Sequence, residues 1–128
     1  LVFSDFRHGI FNRVSIPSLM EAIPAKSFRV ADSQVASRWG NITEFENFDL
    51  ITPNERESRF ALADQDSTIG GLSSLLLDAT NYKNLILKLG ERGIFCSTNA
   101  QNAKDSYFSI NSFATNVVDA AYNGSNNP

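Results

Sequence analysis

The sequence predicts an α/β protein with a mostly parallel sheet. Short apolar runs alternate with longer segments of helical periodicity, and this β-α-β-α-α-β order is typical of parallel strands joined by helical crossovers. Two later apolar runs are separated only by the turn at residues 90–93, which a glycine flanks on each side. Such a turn predicts a hairpin, so we expect one edge of the sheet to be antiparallel.

The first helix is predicted after Ser15 and is ended by Pro24. Its apolar residues at positions i, i+3, i+4 and i+7 are Ile16, Leu19, Met20 and Ile23. Buried strands are expected on either side of it, at residues 1–6 and 28–31. Residues 34–46 lack a clean period, so we expect a loop or short helix there, with Trp39 as its anchor in the core.

The strand at residues 48–51 ends abruptly in a polar turn that opens a helix. Pro53 forces Thr52 out of helical geometry and itself fits the first helical position. Thr52 is therefore predicted as the N-cap, with Glu55 completing a capping box, so the helix begins at about Pro53. Asn54 then lies in the first turn, beside unpaired N–H groups and the positive end of the helix dipole, which attracts anions.

The second half of the chain is predicted to supply one more long helix and three strands. The helix that starts near Pro53 runs to about Ala63, and a further helix follows whose apolar face consists of Ile69, Leu72, Leu75, Leu76 and Ala79. Strands are expected at residues 85–89, 94–97 and 107–110, with a polar loop at residues 98–105. We expect a single domain at residues 1–121 and a disordered tail at residues 122–128.

Composition excludes several classes of function. The 128 residues carry 42% hydrophobic residues and ten Phe, which is enough for one packed core. The net charge is −3 and the basic residues are scattered, so we expect no nucleic-acid partner. No apolar run approaches the length of a membrane span, and we expect a cytoplasmic protein without membrane association. The only cysteine, Cys96, lies in an apolar run and is predicted to be buried and unreactive.

The turn after the strand at residues 48–51 resembles the "TPNE" strand-to-helix turn of the phosphofructokinase-B/ribokinase family of sugar kinases. The N-x-x-E motif of that family organises magnesium and nucleotide phosphates, and here it falls on Asn54 and Glu57. The alternative is an ordinary helix N-terminus, in which Asn54 only occupies the first turn and Glu57 complements the dipole.

Four further segments follow the order of that family. NLILKLGERGI at residues 84–94 is similar to its strand-turn signature ending in "LGxxG", and VVDAA at residues 117–121 resembles the lead-in to its anion-hole loop. LVFSDFRHG at residues 1–9 is similar to the "SDY-x-KG" strand end of the heptose-phosphate kinase (ADP-heptose synthase) branch, and VADS at residues 30–33 to the next strand end. The resemblance implies a partial ribokinase-like three-layer fold.

The resemblance also implies ATP and Mg²⁺ as cofactors, with nucleotide and sugar as partners of the intact enzyme. Asn54 and Glu57 would be the metal-linked residues, since oxygen ligands suit a hard cation. Lys88 and Gly90 would lie beside nucleotide phosphates, although the family often has Thr at the place of Lys88, and a solvent-facing sheet residue is the alternative there. Asp119 would lie before the anion-hole loop, in a region of cation and substrate contacts, or is simply an exposed charge.

The chain departs from the family at the catalytic loop. The family continues as Gly-Ala-Gly-Asp, whose Asp is the catalytic base, whereas residues 122–128 read YNGSNNP. We therefore assign no catalytic residue, and expect a central-to-C-terminal fragment of a carbohydrate kinase that is inactive alone. The alternative is a non-catalytic nucleotide-binding remnant or a half-kinase completed by a partner chain.

Two more expectations concern a rival enzyme class and assembly. Asp5 ends an apolar strand, as the nucleophile of haloacid-dehalogenase-type phosphatases does, but Arg7 stands where those enzymes need a second Asp.

Apolar runs such as residues 85–87 and 1–3 would lie near an open sheet edge or face, so we expect self-association, most simply as a two-fold dimer.

Overall fold

A six-stranded mixed sheet organises the chain. The computed structural model describes residues 1–5, 11–33, 36–37, 40–99 and 107–110. The strands are β1 (Val2–Asp5), β2 (Val30–Ser33), β3 (Ala36–Ser37), β4 (Gly40–Asn41), β5 (Leu50–Ile51), β6 (Asn84–Lys88), β7 (Ile94–Thr98) and β8 (Tyr107–Ile110). The α-helices are α1 (Ser15–Ala22), α2 (Glu55–Leu62) and α3 (Ile69–Thr80).

The sheet topology confirms the predicted fold class. The order across the sheet is β1-β2-β5-β6-β7-β8, and β1, β2, β5 and β6 are parallel. The strands β6, β7 and β8 pair antiparallel, with Lys88 opposite Ile94 next to the turn at residues 90–93. Because four parallel strands all end at one side, their carboxyl ends form one edge of the sheet, here called the carboxyl edge, and their amino ends form the opposite amino edge.

The core lies on one face of the sheet. Alternate strand residues point to it and are buried: Phe3, Ala31, Ile51, Leu85, Leu87 and Phe95. Ile16 of α1 and Leu72 and Leu76 of α3 pack into the same cluster. The period of two along the strands and the helical spacing of Leu72 and Leu76 thus bury one common apolar surface. The described residues supply two layers of the expected three-layer fold.

Aromatic side chains fill the part of the core next to β1 and β2. Phe48 is fully buried, and its ring lies 5.3 Å from that of Phe3 at 84° and 5.5 Å from that of Phe45 at 89°. Edge-to-face pairs of this kind add to the stabilisation that burial of the rings provides.

Two local predictions are incomplete or wrong. Residues 34–46, predicted as a loop or short helix, contain a short 3₁₀ helix at Ile42–Glu44 and also the two-residue antiparallel pair β3 and β4, which was not predicted. Ile42 is fully buried and anchors the segment, whereas Trp39 lies outside the described residues. Leu75 is 37% exposed, because the buried face of α3 is centred on Leu72 and Leu76. The predicted tail at residues 122–128 and most of the polar loop at residues 98–105 are also outside the described part.

None of the helices in the described ranges has the length and apolar character that crossing a bilayer requires.

Replacing Tyr82 with phenylalanine is expected to lower the free energy of unfolding by about 1 kcal/mol. Tyr82 is 1% exposed, and its hydroxyl donates to the Ser73 carbonyl oxygen at 3.1 Å and lies 3.1 Å from Ser97 Oγ. Urea denaturation followed by circular dichroism measures the change. An unchanged midpoint would mean that the buried hydroxyl adds nothing to stability.

The buried Tyr82 side chain should also make the folded chain less stable at alkaline pH. Burial raises the pKa of Tyr82, and the hydrogen bonds to Ser97 and Ser73 offset only part of this effect. A raised pKa in the folded state means that folding favours the neutral phenol. The contribution of Tyr82 to the free energy of unfolding is therefore complete below the ordinary pKa of 10.0, and it is lost as the pH rises through the pKa of the folded state. The Tyr82→Phe variant should therefore lose less stability above pH 10 than the parent chain does.

Candidate functional site

Polar side chains from three neighbouring strands meet at the carboxyl edge. Asp32 lies near the end of β2, Thr52 directly follows β5, and Lys88 ends β6. The Thr52 hydroxyl donates to Asp32 Oδ1 at 2.9 Å, and Lys88 Nζ donates to the same oxygen at 3.3 Å. The carboxylate therefore joins the ends of three parallel strands.

The helix α2 begins at this edge with a reciprocal capping box. Asn54 is the N-cap, with extended backbone at φ −90° and ψ 166°. The Glu57 backbone N–H donates to Asn54 Oδ1 at 2.7 Å, and the Asn54 backbone N–H donates to Glu57 Oε1 at 2.6 Å. The prediction that Thr52 caps the helix with Glu55 is wrong, and α2 begins at Glu55, two residues after Pro53.

The shift of the helix start has a tertiary cause. Lys88 N–H donates to the Pro53 carbonyl oxygen at 2.9 Å, and Asn54 and Lys88 form a parallel bridge. Pairing with β6 thus holds the backbone extended through Asn54, and the Thr52 hydroxyl is directed to Asp32. A contact between residues 34 positions apart decides where the helix begins.

The structure gives Asn54 and Glu57 a structural role as the cap of α2. Glu57 is 2% exposed, and one of its oxygens closes the cap. Glu55 is the more exposed carboxylate of the first turn, with its side chain 22% exposed, and it accepts from Arg59 Nε at 2.8 Å and from Arg92. A metal ion that was ligated directly by the capping oxygens would compete with these hydrogen bonds.

The turn after β6 lies next to α2. Gly90 has φ +61°, which favours glycine, and Leu89 N–H donates to the Gly93 carbonyl oxygen at 2.8 Å to close the turn. Arg92 in this turn donates to Glu55, and this hydrogen bond links the turn at residues 90–93 to the first turn of α2.

The fold therefore brings together four of the five predicted site residues. Asn54, Glu57, Lys88 and Gly90 come from two distant stretches of the chain and share the carboxyl edge. The fifth, Asp119, lies outside the described residues. Asp32 was not predicted as a site residue. The sequence signal that could have indicated Asp32 is its position at the end of a predicted strand, parallel to the strand before Thr52. A single Asp at a strand end is too common, however, to be chosen as a site residue on that basis.

The residues present suit a metal–nucleotide complex better than a bare metal ion. Across the described ranges, no group of three or more His, Cys, Asp or Glu could hold a metal. Mg²⁺ commonly keeps several waters and uses one or two carboxylates together with substrate phosphates. The Lys88 side chain is 40% exposed, and its ammonium group offers a point charge for a phosphate next to the positive end of α2.

Replacing Asn54 with alanine is expected to lower the free energy of unfolding by about 1–2 kcal/mol, because it removes the N-cap of α2. The matched control is Asn54→Asp, whose carboxylate can still accept from Glu57 N–H and should cost much less. Chemical denaturation of both variants measures the difference. Equal losses in the two variants would contradict the capping role.

Comparison with solved structures identifies the fold. The chain superposes on aminoimidazole riboside kinase from Salmonella enterica with a TM-score of 0.65 at 19% identity, covering 96% of this chain and 43% of that one. For phosphofructokinase-2 from Escherichia coli in complex with substrates and products, the TM-score is 0.62 at 14% identity, covering 86% of this chain and 35% of that one. For Arabidopsis thaliana ribokinase complexed with ribose and ATP, the TM-score is 0.60 at 17% identity, covering 92% of this chain and 36% of that one.

These similarities show that the chain has a ribokinase-like α/β fold, the fold class that the sequence predicts. The chain spans 35% to 43% of the length of these three kinases, so it corresponds to part of their fold. No protein-family model and no curated protein matches the chain.

Proposed function

We propose that the chain is the central part of an ATP-dependent carbohydrate kinase and that its carboxyl edge holds the nucleotide phosphates together with Mg²⁺. The observation that carries the proposal is the convergence of Asn54, Glu57, Lys88 and Gly90 at the ends of neighbouring parallel strands. Open α/β sheets bind ligands at the carboxyl ends of their strands, and solved kinases share this fold.

Each residue has a chemical role in this proposal. Lys88 supplies a positive charge to a phosphate oxygen, for which Asp32 now competes at 3.3 Å. The turn at Gly90 brings the backbone close to the phosphates without a side chain in the way. The cap of Asn54 and Glu57 fixes the N-terminus of α2, and these two residues would hold Mg²⁺ through its water shell, which would leave the cap intact. Mg²⁺ neutralises charge on the transferring phosphoryl group when bound.

The intact enzyme would transfer the γ-phosphoryl group of ATP to a hydroxyl of a sugar or sugar phosphate, by positioning and electrostatic stabilisation. The sequence resemblance at residues 1–9 and 30–33 favours the heptose-phosphate branch, and the proposal places the protein in the cytoplasm. The 128 residues alone should lack appreciable kinase activity, because YNGSNNP stands where the family has its catalytic Asp. Sugar-dependent turnover that disappears in Glu57→Gln would contradict this.

The nucleotide site is tested by an NMR titration of the chain with Mg·ADP. The backbone amides of Asn54, Lys88 and Gly90 should shift, while those of Asn47 and Asn81 at the amino edge should not. Shifts confined to the amino edge, or none at all, would overturn the proposed site.

The second candidate is a non-catalytic nucleotide-binding module or a half-kinase completed by another chain. It rests on the same convergence of Asn54, Glu57, Lys88 and Gly90, since binding nucleotide phosphates needs no catalytic base. The reading frame on both sides of the segment separates the candidates. A frame that encodes a sugar-binding half upstream and a Gly-Ala-Gly-Asp loop downstream supports a whole kinase, and a frame limited to this segment supports the module.

We further propose that the chain self-associates through β1. This strand lies at the edge of the sheet and pairs with β2, and Leu1 and Val2 are 56% and 61% exposed. An exposed edge strand with apolar side chains is a template for pairing with a second copy. Light scattering over a concentration series should show a dimer or larger species. A cooperatively melting monomer at high concentration would contradict self-association.

A further inference from the structure

A second polar cleft lies at the amino edge, on the side of the sheet opposite the proposed nucleotide site. Arg29 precedes β2, Asp49 precedes β5 and Lys83 precedes β6, so parallel pairing places the three side by side. They line a cavity of about 200 Å³ together with Lys26 and Asn47.

The cleft carries more positive than negative charge. Asp49 is the single carboxylate among the residues that line the cleft. Its two oxygens have different partners, since the Arg29 backbone N–H donates to Oδ2 at 2.8 Å and Lys83 Nζ lies 3.2 Å from Oδ1. Burial opposes ionisation of Asp49, but the Arg29 N–H and the Lys83 ammonium outweigh it and lower the pKa, so the carboxylate is charged at neutral pH. The lining therefore has three cations, Lys26, Arg29 and Lys83, against one carboxylate, and the charge of the Arg29 guanidinium also helps to lower the pKa of Asp49.

The Arg29 side chain has one buried polar atom without a hydrogen bond. Within the described residues its Nε is buried and makes no hydrogen bond. A buried cationic donor without an acceptor is costly, and an anion bound beside the guanidinium would offset part of that cost through its charge.

A larger cavity of about 440 Å³ adjoins this cleft and shares Asn47 and Lys83 with it. Its lining is rich in side-chain amides, and its other members are Asn81, Asn84, Thr98 and Asn99. Hydrogen bonds hold several of them: Asn81 Nδ2 donates to Asn47 Oδ1 at 2.8 Å, and Asn84 Nδ2 donates to the Asp49 carbonyl oxygen at 3.0 Å. Asn47 and Asn81 both adopt positive φ, of 62° and 50°. The amides therefore form an ordered surface that can donate to and accept from hydroxyl groups.

We propose that this amino-edge cleft binds a phosphate monoester of a polyhydroxylated molecule, with the phosphate between Arg29, Lys26 and Lys83 and the hydroxyl groups on the amides. The cavity of about 200 Å³ is below the usual size of a small-molecule pocket and suits a phosphate-sized group. The adjoining cavity of about 440 Å³ accommodates the remainder of a small ligand. The proposal is independent of the nucleotide site, which lies at the other edge.

The test titrates the chain with glycerol 3-phosphate, inorganic phosphate and glycerol, each followed by calorimetry and amide shifts. Glycerol 3-phosphate should bind more tightly than inorganic phosphate, glycerol should not bind, and the shifts should centre on Arg29, Asn47 and Lys83. Equal affinity for glycerol 3-phosphate and inorganic phosphate would overturn the role of the amides. No binding of either would overturn the site.

Variants separate the two edges of the sheet. Arg29→Gln should weaken glycerol 3-phosphate binding at least tenfold, and Lys26→Gln, at an exposed residue whose loss should not affect folding, should weaken it several-fold. Lys88→Gln at the carboxyl edge is the matched control and should leave the affinity unchanged. If Lys88→Gln weakens binding while Lys26→Gln does not, the phosphate lies at the carboxyl edge and the inference is wrong.

Discussion

Replacing Phe48 with alanine should lower the free energy of unfolding by about 3–5 kcal/mol, the range for removing a buried aromatic side chain. Phe48 is fully buried and packs edge-to-face against Phe3 and Phe45, with ring centroids 5.3 and 5.5 Å away. Because domains are stable by only about 5–15 kcal/mol, this one change should remove a large part of the total. Urea denaturation followed by circular dichroism measures it.

The matched control is Phe60→Ala. Phe60 lies on α2 and is 54% exposed, so its removal should cost within about 0.5 kcal/mol. Phe48→Leu should fall between the two, since leucine keeps part of the buried volume. Similar losses for Phe48→Ala and Phe60→Ala would show that the aromatic cluster does not form the core of the folded chain.

Replacing Lys88 with methionine should weaken Mg·ADP binding by about tenfold to a hundredfold, since a hydrogen bond to a charged group contributes about 1.5–3 kcal/mol. Methionine has a similar length without the charge, and the backbone pairing of Lys88 with Pro53 and Asn54 does not depend on its side chain. The fold should therefore persist while the phosphate contact is lost. Calorimetry compares the affinities of the two chains.

Two control variants accompany this measurement. Lys88→Arg keeps a positive charge and should retain most of the affinity, although an arginine fork is not equivalent to a point charge. Lys83→Met removes a lysine from the amino edge and should leave Mg·ADP binding unchanged. If Lys83→Met and Lys88→Met weaken binding equally, the effect comes from overall charge and Lys88 has no particular role.

Elements with strong local signals were predictable from the sequence. The apolar runs in β6 and β7, and the glycines that flank their turn, were sufficient for the hairpin and the antiparallel edge. Helical spacing placed Leu72 and Leu76 correctly on the core face of α3. Leu75 was placed there too, but its side chain lies at the margin of the buried face and is 37% exposed.

The details of the site could not be predicted, because they depend on contacts between distant residues. Thr52 and Glu55 have the spacing of a capping box, but pairing with Lys88 keeps the chain extended for two residues more and gives the cap to Asn54 and Glu57. Asp32 becomes notable only when β2 lies beside β5 and its carboxylate accepts from Thr52. No local pattern encodes either of these contacts.

The central claim is that the carboxyl edge retains a site for nucleotide phosphates. Calorimetric titration of the 128-residue chain with ADP in the presence of Mg²⁺ tests it most directly. We predict a dissociation constant below about 1 mM, equivalent to more than about 4 kcal/mol of binding free energy, that depends on both Mg²⁺ and Lys88. Binding weaker than about 1 mM, or unchanged by Lys88→Met, would contradict the claim that the carboxyl edge of this ribokinase-like fold holds nucleotide phosphates.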